Sequence, residues 1–200
     1  MTWARLTLGL FFLMTTALVN GQTGSPSSKS GRATAESSHC ALRYLPSEIQ
    51  NRLKRDFGSW KIQGPADLSP RAHARWDGEK PLECPGIAVG QFENGKTPSY
   101  AVLLVPQDHA DAGYRFLVFG PQSGEPSYEM RVLDQWDKSG AANYFIHKTS
   151  ISKFFDERSR KKFQAQTSEG VLLVDSAENE YGVEVYFWSG GSYRHEPLDY

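Results

Sequence analysis

Two runs decide how this chain folds: Gly86-Ile-Ala-Val-Gly-Gln-Phe92 and, after a short loop, Ser99-Tyr-Ala-Val-Leu-Leu-Val105. Both are short and apolar, with β-branched or aromatic side chains. The loop between them carries Asn94-Gly95, a pair that tolerates the left-handed backbone of a tight reversal, so the runs read as an antiparallel hairpin. Tyr100 to Val105 is apolar on both faces, which places it in the middle of a sheet.

Toward the C-terminus the texture repeats. Tyr114 to Phe119, Tyr128 to Leu133 and Asn143 to Lys148 read as further strands, and Ser152 to Arg158 as a short helical or irregular excursion. Gly170 to Asp175, Gly182 to Trp188 and Tyr193 to Glu196 complete a meander, the last two joined across Ser189-Gly190-Gly191-Ser192. In the second of these, Val183, Val185 and Phe187 share one face, while Glu184, Tyr186 and Trp188 share the other. Toward the N-terminus, Leu45, Ile49, Leu53 and Phe57 recur every four residues, with Pro46 and Glu48 in the first turn and Gly58 just after. That spacing predicts an amphipathic helix. A shorter helix opens at Ser69-Pro70 and runs to about Trp76. The expectation is one α+β domain, residues 39–200: a bent antiparallel β-sheet (meander) with one main N-terminal amphipathic helix packed on it.

The first residues address the chain elsewhere. Arg5 precedes an apolar run from Leu6 to Val19, shorter than the roughly 20 residues of a spanning helix, and Val19-Asn20-Gly21 offers a cleavage site. Residues 1–21 read as a signal peptide, a retained membrane anchor being the competing reading. Residues 22–38 are nearly devoid of apolar side chains and cannot offset ordering entropy by burial, so they read as a disordered tether. The expected mature protein is exported, periplasmic or secreted, with no transmembrane segment after cleavage. About 160 residues then remain, enough for one core, and five Trp, nine Tyr and eleven Phe in the whole chain can fill it. A net charge of −1 gives no hold on nucleic acid.

Cys40 and Cys84 are the two cysteines. In an oxidising compartment two thiols of one small domain are expected to pair. Closing that loop stabilises the domain by roughly 3–4 kcal/mol on the loop-entropy model. A paired Cys84 is no nucleophile. A zinc set of His39, Cys40, His73 and Cys84 lacks the two-residue cysteine spacing that marks such sites.

Other groups carry possible chemistry. Asp108, His109 and Asp111 cluster in one turn, as a metal or proton-sharing set would or as a polar hairpin tip does. Arg158, Arg160, Lys161 and Lys162 form a basic run preceded by Asp156 and Glu157, which suits a solvated loop or a guarded strand edge more than an anionic partner. There is no nucleophile elbow, no zinc-protease motif and no phosphate-cradling loop, so no cofactor, metal or catalytic residue is assigned. Tyr186, Trp188 and Tyr193 at the last hairpin form the candidate binding set, if they are exposed. The competing reading makes them second-side core under the Leu45–Phe57 helix or another segment.

Residues Gly86 to Leu104 resemble an FG-GAP or VCBS-type propeller motif over about twenty residues. That resemblance implies a calcium loop, although Gln91 and Ser99 stand where carboxylates belong, leaving Glu93 and Asn94. The string Glu83-Cys-Pro-Gly-Ile-Ala-Val-Gly-Gln-Phe92, with Ser99 to Pro106 and the Tyr186 to Tyr193 hairpin, is similar to exported bacterial proteins of uncharacterised function. The likeness implies compartment and fold class alone. On these grounds the chain is expected to be a binding module that recognises an envelope component or another exported protein through exposed aromatics. The alternatives are an exported hydrolase with dispersed carboxylates and an inhibitor or stabilising partner of another exported protein.

Overall fold

The computed structural model describes residues 40–79, 83–122, 127–177 and 182–198; the expected signal peptide and tether lie outside them. Among the described residues three α-helices, α1 (Ser47–Asp56), α2 (Pro70–Glu79) and α3 (Glu157–Phe163), accompany nine strands. The strands are β1 (Trp60–Ile62), β2 (Ile87–Gly90), β3 (Ser99–Pro106), β4 (Tyr114–Pro121), β5 (Tyr128–Trp136), β6 (Tyr144–Ser150), β7 (Glu169–Asp175), β8 (Gly182–Ser189) and β9 (Ser192–Pro197).

All pairings are antiparallel, but they form two sheets where one bent sheet was expected. In the first, β1 and β2 share one edge of β3, and β4 and β5 follow on its other side; the second runs β6-β7-β8-β9. The physical reason is the double-sided apolar strands. Ala101, Leu103 and Val105 of β3 point into a core shared with Val171, Leu173 and Tyr186 of the other sheet. Val102 and Leu104 point the opposite way, under α1. Each sheet therefore needs cover on both faces, and stacking them supplies one cover to each.

The helices supply the rest. Ile49 and Leu53 of α1, with Leu45 just before it, close over Val102, Leu104, Leu117 and Phe119. Each such side chain contributes about 1.5–3 kcal/mol on full burial. Ala72 and Trp76 of α2, with Leu68, cover Val183, Val185 and Phe187 on the far side of the second sheet. The expectation of one main helix is thus corrected: α1 and α2 have ten residues each, and the order is helix, sheet, sheet, helix. The expected Ser69 cap is present, its Oγ accepting from Ala72 N at 3.3 Å.

The sandwich is tied along one side, where Ile146 N donates to Pro85 O at 2.8 Å and β2 lies beside β6. Cys40 and Cys84 are disulfide-bonded, 5.1 Å apart at Cα, which joins the segment before α1 to the start of β2. No helix among the described residues is long and apolar enough to cross a membrane.

Candidate functional site: the groove between β5 and β9

On the side away from the β2–β6 seam, the sandwich ends in two edge strands, β5 and β9. Alternation and register decide what faces the gap. Arg131 lies opposite the inward-facing Val118, and Leu133 packs on the inter-sheet core. On β9, Tyr193 lies opposite Trp188 and His195 opposite the inward-facing Tyr186. Arg131, Leu133, Tyr186, Tyr193 and His195 line a groove of about 210 Å³. Drug-sized ligands occupy roughly 300–1,000 Å³, so this groove fits a single ring or one side chain. The β8–β9 turn at its end uses Gly190 and Gly191 at φ 61° and 87°, the left-handed pair a two-residue hairpin requires.

One end of the groove is built on Glu93. Its carboxylate is buried, 6% exposed, and Oε1 accepts from Arg131 Nη1 at 2.8 Å and from the Tyr193 hydroxyl at 3.1 Å. Only glycine at position 120 admits it, because a Cβ there would overlap the carboxylate. Burial raises the Glu93 carboxyl above its ordinary value, against the opposing pull of Arg131 and the Tyr193 hydroxyl. The Arg131 guanidinium also meets Glu129 at 2.7 Å and lies 5.0 Å from the Trp188 ring centroid. Trp188 in turn meets Tyr193 edge-on at 5.1 Å. One arginine thus gathers the β2–β3 loop, β5 and the last hairpin.

The other end is a set of tyrosine–carboxylate pairs. The Tyr114 hydroxyl donates to Asp134 Oδ2 at 2.5 Å, and the Tyr186 hydroxyl to Glu184 Oε2 at 2.9 Å. His195 Nδ1 lies 2.8 Å from the same Glu184 oxygen, its ring stacked on Tyr186 at 5.3 Å. Burial, followed by these carboxylates, pushes Tyr114 and Tyr186 well above the usual phenol range; burial and Glu93 do the same to Tyr193. Such phenols stay protonated at ordinary pH. They act as donors that fix carboxylates, not as nucleophiles.

The expected exposure of the aromatic set is corrected here. Tyr186 is 3% and Trp188 8% exposed, and Tyr193 is partly buried. The cover is not α1, which lies on the other sheet. Phe116 of β4 meets Tyr186 edge-on at 5.0 Å, and Arg131 of β5 covers Trp188. Tyr186 and Tyr193 line the groove, whereas Trp188 packs against Arg131 and Tyr193 outside its lining.

The remaining candidates disperse. Asp111 Oδ1 accepts from Gly140 N at 3.0 Å and Ala142 N at 3.1 Å, so it anchors the β5–β6 connection, and Asp108 and His109 are exposed beside it. Glu93 is turned inward onto Arg131, and Asn94 Nδ2 donates to Gln166 at 3.3 Å, so the two side chains do not form an open calcium loop. His73 packs edge-on against Trp76, Cys40 and Cys84 are bonded together, and His39 lies outside the described residues. Lys161 pairs with Glu157 at 3.1 Å on an exposed helical turn; the side chains of Arg160 and Lys162 lie outside the described set. Among the described residues no group of three or more His, Cys, Asp or Glu is arranged to hold a metal ion.

What fold and groove define together is a disulfide-linked antiparallel sandwich, faced on both sides by helices, with a small polar groove along its open edge. Comparison with protein-family models, curated proteins and solved structures gave no match.

Proposed function

We propose that this chain is an exported recognition module that takes one saccharide unit of an envelope or extracellular glycan in the β5–β9 groove. The observation that carries the reading is the lining. Arg131 and His195 line one groove about one ring in size, the Tyr186 and Tyr193 rings supply its apolar wall, and Glu184, bonded to His195, offers an acceptor behind that lining. Sugar hydroxyls both donate and accept, and sugar ring faces pack on aromatic surface, so this mixture suits them better than a wholly apolar or singly charged ligand. The signal-type N-terminus and the Cys40–Cys84 bond support export.

The hydrolase reading has one observation in its favour. Glu184 orients His195 as a carboxylate orients a general base. Its other carboxylates are bound to Tyr114 and Arg131, which leaves recognition as the better account. Titrating the isotope-labelled protein with monosaccharides and envelope glycan fragments tests this. Saturable shifts at Gly191, Ser192 and His195, weakened about tenfold by His195→Ala, are expected. Shifts confined to another face, or release of cleaved sugar, overturn it.

A further inference from the structure

We infer a second binding site, independent of the groove, for a single-chain amphiphile with an anionic head. A cavity of about 280 Å³ lies between α1, β1, β3 and the turn at Cys40. Leu42, Leu53, Phe57, Trp60, Ile62 and Leu104 wall it, and Cys40 of the disulfide forms part of the lining. One end is fixed by Gln107, whose Nε2 donates to the carbonyls of Gly58 at 3.1 Å and Trp60 at 3.3 Å.

The charges at this cavity are positive. Lys54 and Lys61 are among its lining residues and no carboxylate is. Lys61 is engaged by Asp67 at 2.6 Å, whereas Lys54 is exposed and makes no ion pair among the described residues. The nearest acidic group on the helix, Asp56, is paired with Arg52 at 3.4 Å and Arg55 at 2.7 Å. An apolar chamber beside an unpaired lysine matches an acyl chain ending in a carboxylate. The volume stands just below the roughly 300–1,000 Å³ of drug-sized sites, which suits one chain and not a two-chain lipid. Lys54, Gly58, Lys61 and Gln107 break the otherwise apolar lining.

The test is calorimetric titration of the exported, oxidised protein with saturated carboxylates from hexanoate to dodecanoate. Affinity should rise about fourfold per methylene, the equivalent of about 0.8 kcal/mol for each buried CH₂, and then level off when the chamber is full. Lys54→Glu should weaken carboxylates about tenfold and leave the matching alcohols unchanged. Leu42→Trp, at a partly buried wall position, should abolish binding without lowering the melting temperature. Methyl shifts should fall on Leu53, Ile62 and Leu104 and not on the β5–β9 groove. No saturable binding, affinity indifferent to chain length or head charge, shifts confined to the groove, or binding to anionic vesicles without binding to soluble carboxylates would each overturn the inference.

Discussion

Replacing Arg131 with methionine keeps the aliphatic stem and removes the charge, which strands Glu93. That carboxylate is 6% exposed, its arginine partner 25%. Removing one member of a buried pair costs about 3–5 kcal/mol, because the other charge stays desolvated; with a quarter of Arg131 still wet, about 3 kcal/mol applies. For a domain of this size each kcal/mol moves the midpoint by about 2–4 °C, so the melting temperature should fall by about 6–12 °C. The loss should also depend on pH. Burial already raises the Glu93 carboxyl in the fold, so its ionised form lowers stability once pH exceeds the folded value, and this effect vanishes below the ordinary carboxylate value. Without Arg131 the folded value rises further and the group protonates sooner, so the gap between variant and parent should narrow as pH falls. Urea and thermal unfolding near neutrality and in mild acid measure both quantities. A loss under about 1 kcal/mol, or the same loss at both pH values, would refute a structural role for this pair.

Glu93→Gln should remove the part of the stability–pH curve that declines from the ordinary carboxylate range upward, as read by chemical denaturation across that range. Reducing the Cys40–Cys84 bond, which closes a separation of 44 residues, should lower stability by about 4 kcal/mol, measured as a shift in urea midpoint with and without reductant. Tyr186→Ala should cost about 3–5 kcal/mol, as for a buried ring; a solvent-exposed ring would cost little, so thermal unfolding separates the two placements.

Much of the strand pattern was readable because it rests on local signals. The Ser189-Gly190-Gly191-Ser192 turn and the apolar run Tyr100 to Val105 each specify their own conformation, whereas the Asn94-Gly95 pair lies in a longer connection from Gly90 to Ser99 in which Asn94 is not left-handed. The number of sheets was not readable in the same way. Alternation shows that Val183 and Phe187 face away from Tyr186, but not which element covers either face; α2 covers one and β4 the other. Trp60 to Ile62 pairs with β3 only through contacts distant in sequence, and three residues are too few to show a period. The groove was half legible. Tyr186 and Tyr193 line it and Trp188 does not, and Arg131 and Glu93 are separated by 38 positions and meet only through the fold. Among single residues, the one clue is a charged side chain at an inward position of an otherwise half-apolar strand, which is Arg131.

The bond between Cys40 and Cys84 also sets how the molecule carries mechanical load. Tension applied through the chain preceding Cys40 crosses the disulfide to Cys84, bypassing α1, β1 and α2, and next reaches β2, held to β3 from Ile87 to Gly90. In the oxidised protein the intervening segment cannot pay out as slack. Reduction would turn the same stretch into a reserve of contour, at about 3.5 Å per residue released.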